Sequence, residues 1–142
     1  PGADLNPLSK VASGGELSRI MLAIKTVFAD VDQIESLIFD EIDVGISGRT
    51  AQMVSEKMSI LGKNHQIICI THLPQIAAMA DTHFVIEKIS SAKETETRIR
   101  RLSDEQSTEE LARMLGGVEI TQAVLANAKE MKQLAKNQKQ YS

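Results

Sequence analysis

The chain has 142 residues, of which 42% are hydrophobic and 25% are charged, and its formal net charge is −3. These values predict one soluble globular domain and exclude a disordered or collagen-like chain. The slightly acidic balance gives no general attraction for nucleic acid, no apolar run approaches the roughly 20 residues that span a bilayer, and the single cysteine excludes an internal disulfide.

The opening residues, 1–12, resemble a linker that precedes a folded domain over residues 13–142. The run from Pro1 to Pro7 is rich in turn-forming residues, and the chain does not begin with methionine. We therefore expect a segment of a larger protein.

The first predicted helix begins at Ser13, where Ser13 and Glu16 have the spacing of a capping box. In such a box each side chain accepts a hydrogen bond from a free backbone amide at the start of the helix. Apolar residues then recur every three or four positions, which is typical of one buried helix face. They are Leu17, Ile20, Met21, Ile24, Val27, Phe28 and Val31.

A short apolar run over residues 37–41 ends in two carboxylates, Asp40 and Glu41. Because the run lacks polar alternation, it predicts a strand that is covered on both faces, as in parallel sheets. Residues 66–72 repeat this pattern and end in His72. The two strands should therefore pair in parallel through a right-handed crossover.

The helix of this crossover should begin near Ser47 and end at Gly62. Its predicted buried face consists of Ala51, Val54, Met58 and Leu61.

The second half of the chain begins with a short predicted helix over residues 74–80 and a strand over residues 83–89. Residues 90–94 form a predicted turn, after which residues 95–102 alternate enough to pair back as an edge hairpin.

Two helices close the chain. The capping box Ser107 and Glu110 should begin the first of them, which Gly116 and Gly117 should end, and the second should begin at Thr121. The predicted fold class is therefore α/β, with a mostly parallel sheet flanked by helices, an edge β-hairpin and C-terminal helices.

Polar side chains end both predicted parallel strands. In open parallel α/β sheets, ligands bind beyond the carboxyl ends of the strands, where Asp40, Glu41 and His72 should meet. A carboxylate in this position can hold Mg²⁺ directly or through water, and a neighbouring glutamate can orient or deprotonate a water molecule. Acidic residues and histidines are also common where a strand meets solvent, so the pattern alone leaves both interpretations open.

The sequence at the start of the first helix is equally ambiguous. Gly14 and Gly15 would let the backbone approach an anion closely, the free amides of the helix start would bind it, and Ser13 could add a hydroxyl. Ordinary capping by Ser13 and Glu16 explains the same residues, and the two interpretations are compatible.

Taken together, these elements resemble the motifs of ABC-type ATPases. Residues 13–19 resemble the signature motif in the SGGE form of SMC-like proteins, and residues 37–41 resemble a Walker B strand. Asp43 falls where the D-loop would follow, and residues 70–72 resemble the strand that carries the switch histidine.

The sequence resembles the RecN family of bacterial SMC-like DNA-repair proteins more closely than it resembles ABC-type ATPases in general. The similar stretches are residues 39–48, 71–77 and 110–117, and the resemblance extends over nearly the whole chain. It implies the C-terminal lobe of an ABC-type ATPase head, which carries the signature motif and Walker B.

The resemblance also implies a role for each polar residue of the sheet edge. Asp40 would bind Mg²⁺, Glu41 would be the catalytic base, and His72 would contact the γ-phosphate of ATP. Asp43 would help to couple two such sites. The signature residues would contact ATP that is held by a second head in an ATP-dependent homodimer. They are Ser13, Gly14, Gly15 and Glu16.

One element of the family is missing, because the chain contains no G-x-x-x-x-G-K-[ST] loop to cradle phosphates. The resemblance implies that an N-terminal Walker A half of the same protein supplies this loop. We therefore expect an ATPase in the full-length protein and an inactive chain in isolation. The family's work in DNA double-strand-break repair and recombination further implies a cytoplasmic, nucleoid-associated protein that has DNA as a partner and no membrane.

Two other function classes remain open at this point. A nucleotide-binding subunit of an ABC transporter would more often carry glutamine in place of Glu16 and would bring a membrane partner. A non-catalytic dimerisation module would use the same motifs only for shape.

Two basic groups leave direct DNA contact undecided, since such groups are more often solvated faces. They are Arg98, Arg100 and Arg101 on the predicted hairpin, and Lys129, Lys132, Lys136 and Lys139 on the last helix.

Overall fold

A computed structural model describes residues 7–29, 31, 33–90, 95–117 and 119–141. The chain divides into an N-terminal unit, Pro1–Leu73, and a C-terminal unit, Pro74–Ser142. Of the predicted linker, residues 1–6 lie outside the described part, and the remainder contains a one-turn helix, α1 (Leu8–Val11).

The N-terminal unit contains the predicted strand–helix–strand order. After α1, its elements are α2 (Gly14–Val27), β1 (Ser36–Phe39), α3 (Gly48–Leu61) and β2 (Gln66–Cys69). The strands β1 and β2 pair in parallel, with Leu37 opposite Ile67 and Phe39 opposite Cys69. The predicted parallel pairing is therefore confirmed.

The start of α2 has the predicted capping box. The hydroxyl of Ser13 accepts a hydrogen bond from the amide of Glu16 at 3.3 Å, and the Glu16 carboxylate accepts one from the amide of Ser13 at 2.7 Å. This second hydrogen bond also lowers the pKa of Glu16.

The predicted buried face of α2 is wrong. Within the helix the buried side chain is that of Leu22, whereas Ile20, Met21 and Ile24 of the predicted face are exposed. Val31 lies beyond the end of the helix, which is capped by Phe28. The helix packs against α3, and Leu22 is 3% exposed.

The helix α3 is buried as its sequence predicts. Ala51, Val54, Met58 and Leu61 are all buried, and Gly62 is the C-cap. With Leu22, Phe39 and Ile42, these side chains form the apolar core among the described residues of the N-terminal unit.

One face of the β1–β2 sheet is open, and the prediction that both faces are covered is wrong. Phe39 is 3% exposed, but its neighbour Ile38 is 69% exposed, and Ile68 and Ile70 are also exposed. Ile38 and Ile68 lie opposite each other in the register, so they share the open face. Ile68 and Ile70 keep 46% and 50% of their surface exposed, so this face is only partly covered.

The C-terminal unit combines a hairpin with two long helices. Its elements are α4 (Pro74–Ala77), β3 (Phe84–Ser90), β4 (Thr95–Arg101), α5 (Asp104–Gly116) and α6 (Gln122–Tyr141). The strands β3 and β4 pair antiparallel, so the predicted hairpin is confirmed; most of its predicted turn, residues 91–94, lies outside the described part.

The prediction of a mostly parallel sheet is only partly right. Among the described residues, β1 and β2 form one parallel pair, and the hairpin forms a separate antiparallel pair. A sheet of two strands has no interior strand, which leaves its apolar residues more exposed than the pattern predicts.

The predicted capping box of α5 is wrong. The helix begins one turn earlier, where Ser103 and Gln106 form the reciprocal hydrogen bonds. Ser107 instead lies inside α5, buried, with its hydroxyl 3.0 Å from Nδ1 of His83. Gly117 ends the helix as predicted, with a φ of 72° that suits glycine.

The core of the C-terminal unit lies where α5 packs against α6 and α4. Small side chains dominate it and allow the helices to approach closely. Its buried members are Ala77, Ala78, Met79, Leu111, Ala112, Ala128 and Ala135. Within the described part of the chain, no helix combines the length and the hydropathy needed to cross a membrane.

Candidate functional site

The carboxyl ends of β1 and β2 bring the predicted site residues to one edge. Asp40 and Glu41 follow β1 directly, and Thr71 and His72 lie two and three residues beyond the end of β2. Since parallel strands end at the same edge of a sheet, the backbone brings these four residues to that edge. Asp43 connects the two ends.

Asp43 is buried, with 3% of its surface exposed, and one of its carboxylate oxygens accepts hydrogen bonds from the end of β2. Oδ2 accepts from the Thr71 hydroxyl at 2.6 Å and from the His72 amide at 2.8 Å. Burial on its own would raise the pKa of Asp43, but these hydrogen bonds outweigh burial and lower it. The carboxylate therefore stays ionised and fixes the loop after β1 to the end of β2.

The imidazole of His72 is both oriented and exposed. Its Nδ1 lies 3.0 Å from Oδ2 of Asp43, while its side chain is 71% exposed. A buried carboxylate on one ring nitrogen leaves the opposite side of the ring open to a ligand.

Asp40 has the exposure that a magnesium ligand needs. Its Oδ1 accepts a hydrogen bond from the amide of Glu41 at 2.9 Å, and Oδ2 has no partner among the described residues. In the same part of the chain, no three His, Cys, Asp or Glu side chains gather into a metal cluster. A single carboxylate nevertheless fits Mg²⁺, which is commonly held by one or two carboxylates, water and substrate phosphates.

Glu41 has a left-handed backbone, with a φ of 58°. This conformation costs a residue with a side chain roughly 1–2 kcal/mol, so the surrounding contacts must hold it. Its carboxylate lies against the start of α2, because a β-carbon at Gly14 would collide with Glu41 Oε2.

Gly15 is packed against the backbone of the same loop. A β-carbon there would lie 2.8 Å from the carbonyl oxygen of Glu41 and 3.0 Å from that of Val44. The two glycines of the Ser13–Glu16 sequence therefore have a structural purpose within the chain, in addition to the predicted anion contact.

Two residues of α2 with no predicted role of their own, Ser18 and Arg19, also contact this loop. The hydroxyl of Ser18 donates to the carbonyl of Asp40 at 2.8 Å. Nη1 of Arg19 donates to the carbonyls of Ile42 at 3.0 Å and Val44 at 2.9 Å. Both residues lie in the stretch 13–19 that resembles the signature motif, and Arg19 lies four residues after Gly15 and therefore on the same helix face.

Other reactive groups of the chain have structural surroundings. Burial, followed by the charges of Asp43 and Asp40, raises the pKa of Cys69 to about 12, so its thiol is not a nucleophile at neutral pH. His65 is buried with Nδ1 2.6 Å from the carbonyl of Ile34, and burial lowers the pKa of His83. No functional role was predicted for these two histidines.

The comparison with known proteins finds similar proteins over nearly the whole chain. Over 135 residues, or 95% of its length, the chain is 51% identical to the DNA repair protein RecN of Halalkalibacterium halodurans. The chain is a homologue of part of RecN. RecN of Bacillus subtilis is 51% identical over 130 residues, and RecN of Vibrio cholerae is 50% identical over 131 residues, each match covering 92% of the chain.

The RecN resemblance predicted from the motifs is therefore confirmed. The chain spans about a quarter of the length of these RecN proteins, between 23% and 24%. No family model matches the chain.

Proposed function

We propose that the chain is part of the ATP-hydrolysing head of a RecN-like protein that acts in DNA double-strand-break repair and recombination. The observation that carries the proposal is the joined edge of the sheet, where Asp43 links the loop with Asp40 and Glu41 to His72. The name of the relatives, DNA repair protein, supports the wider process.

Each side chain of this edge has the chemistry for one part of the reaction. Asp40 would hold Mg²⁺, which supplies positive charge that offsets the charge of the phosphates. Glu41 would orient and deprotonate the attacking water, and His72 would contact the γ-phosphate through its exposed ring. Asp43 keeps His72 in place and would couple its position to the loop.

A second segment of the same protein would complete the nucleotide site. The chain has no G-x-x-x-x-G-K-[ST] loop, and it corresponds to about a quarter of its relatives. The open face of the sheet, with Ile38, Ile68 and Ile70 exposed, is the kind of surface that another part of a domain covers. We infer that an N-terminal Walker A half packs there.

The start of α2 would serve the ATP of a second head. Ser13 and Gly14 are exposed, and the start of a helix favours an anion. The Ser13 hydroxyl donates to the Glu16 carboxylate at 2.9 Å and would exchange this partner for the phosphate. The Glu41 carboxylate lies against Gly14 and carries the same charge sign as a phosphate. An arriving phosphate would therefore repel it from the helix start towards water, in a homodimer with ATP between the heads.

The proposal is tested by reconstituting the head. The chain is mixed with a purified Walker A segment, and Mg²⁺-dependent ATP turnover is measured for each component and for the mixture. We expect turnover only in the mixture, because each component lacks groups that stabilise the transferred phosphate. A folded mixture that binds ATP without any turnover would support a non-catalytic dimerisation module instead.

Direct DNA binding by the lysines of α6 receives no support from their surroundings. Lys132 and Lys136 lie 2.9 and 3.0 Å from the carboxylate of Asp104, and Lys139 lies 2.6 Å from Asp81. Lys132 and Lys136 also lower the pKa of Asp104. Two carboxylates of the C-terminal unit therefore offset part of the charge of these three lysines.

We expect that alanine at Lys129, Lys132, Lys136 and Lys139 leaves DNA affinity of the full-length protein nearly unchanged. Each lost phosphate contact would reduce the slope of log affinity against log salt by about 0.9. The measurement is a fluorescence-anisotropy salt titration, with alanine at Arg98, Arg100 and Arg101 as the comparison. A slope reduced by about 3 or more in the lysine variant would show that this helix binds DNA.

A further inference from the structure

The loop after β1 is held from one side by a row of hydrogen bonds from α2. The carbonyls of alternate residues, Asp40, Ile42 and Val44, all accept from two consecutive side chains of the helix. Ser18 holds the first carbonyl, and Nη1 of Arg19 holds the other two. The contacts flank both Glu41 and Asp43, the residues through which the loop would act.

This loop depends on external support. Glu41 and Gly45 have positive φ angles, 58° and 76°, and Glu41 does so at an energetic cost. The loop's own backbone hydrogen bonds are few, with Val44 donating to Glu41 at 3.0 Å and Ile46 to Asp43 at 3.3 Å. Ser18 and Arg19 therefore hold the backbone of the loop from the side of α2, while the Asp43 carboxylate holds it to the end of β2.

An arginine at position 19 can satisfy two carbonyls of this loop at once. The carbonyls of Ile42 and Val44 converge on one guanidinium nitrogen, so a single cation satisfies both. The same nitrogen would lie 3.1 Å from a β-carbon at Gly15, which places Arg19 directly below the first turn of α2. A shift of the first turn of α2 would therefore also shift the loop through Arg19.

We propose that Arg19, assisted by Ser18, is a positioning residue that couples the start of α2 to Glu41 and Asp43. Arg19 does not contact the nucleotide. It transmits the position of the helix start, where the phosphate of the opposite head would bind, to the carboxylate that activates water. This inference rests on the proposed function and adds to it a route within one head.

The test compares Arg19→Ala, Arg19→Lys and the control Arg49→Ala in the full-length protein. Arg49 is an exposed arginine of α3. Two quantities are measured: kcat and KM for ATP, and hydrogen–deuterium exchange of the peptide that covers residues 40–46. Exchange reports on the loop itself and does not require activity.

For Arg19→Ala we expect kcat to fall between about 10-fold and 100-fold with KM changed by less than about threefold, because the loop loses its alignment while the nucleotide contacts stay. Exchange at Val44 and Ile46 should rise at least about tenfold. Arg19→Lys should recover part of both losses, since an ammonium can still reach one carbonyl. Arg49→Ala should match the wild type.

The inference is overturned if Arg19→Ala leaves kcat unchanged, whether or not loop exchange rises. If Arg19→Ala does not fold, Ser18→Ala provides the same comparison through the single hydrogen bond to Asp40. Failure of the proposed function looks different. In that case Glu41→Gln retains turnover, while the loop exchange of the Arg19 variants still shows whether the loop is held.

Discussion

Glu41→Gln should lower Mg²⁺-dependent ATP turnover of the reconstituted head by roughly 10²-fold or more and leave ATP binding intact. The substitution keeps the size of the side chain and removes only the carboxylate that would accept a proton from water. Glu41 follows β1 directly and shares its edge of the sheet with His72. Removing the base there should affect kcat much more than KM.

The matched control is Glu35→Gln. Glu35 is an exposed glutamate immediately before β1, so the change in charge is the same at the opposite end of the strand. Turnover is measured by phosphate release and ATP binding by a fluorescent analogue. If Glu41→Gln binds ATP and hydrolyses it as fast as Glu35→Gln, Glu41 is not the base.

Gly15→Ala should destabilise the N-terminal unit by roughly 2–3 kcal/mol and abolish turnover in the reconstituted head. The added methyl group would meet two backbone carbonyl oxygens, those of Glu41 and Val44, at 2.8 and 3.0 Å. Backbone atoms cannot rotate away as a side chain can, so either the helix start or the loop must shift.

The comparison with Gly14→Ala separates this clash from the general effect of alanine in a helix. At Gly14 the methyl group meets only the flexible carboxylate of Glu41, which can rotate. We expect a change in stability below about 1 kcal/mol, since alanine also favours the helix. The measurement is the urea midpoint of unfolding for both variants. Equal midpoints would contradict the close packing of Gly15.

Local sequence patterns predicted the capping box at the start of α2 correctly. The capping box of Ser13 and Glu16 depends on residues within one turn, and the structure has both of its hydrogen bonds. The meeting of Asp40 and His72 at one edge follows from two apolar runs joined by a helix, a pattern with few alternative topologies. The sequence is therefore sufficient where the deciding contacts are short in sequence or imposed by connection rules.

Other features could not be predicted from the sequence. Two serines, Ser103 and Ser107, each precede a residue suited to a capping box. In the structure Ser103 forms the box, and Ser107 lies 3.0 Å from His83 within the helix. Periodicity gives the angular position of Ile20 and Leu22 on α2, but not which neighbour covers them. Arg19 donates to backbone carbonyls. Because every residue has a carbonyl, the sequence does not indicate which carbonyls Arg19 contacts.

The role of Asp43 lies between these cases. Its place in the motif predicted a residue that couples sites, but its hydrogen bonds to Thr71 and His72 join residues about 28 positions apart in the sequence. Such a pair is set by the register of β1 and β2, and no local pattern contains it.

The left-handed backbone at position 41 favours glycine, whereas the proposed chemistry requires a carboxylate there. Glycine would adopt the φ of 58° without the cost that a side chain brings, and the variant Glu41→Gly would gain up to about 1 kcal/mol from this relief. Selection for thermal stability alone would therefore favour glycine over glutamate at position 41. A screen of this segment that rewards only thermal stability is expected to enrich sequences without the proposed base, whereas a screen that rewards turnover should retain Glu41 although the backbone disfavours it.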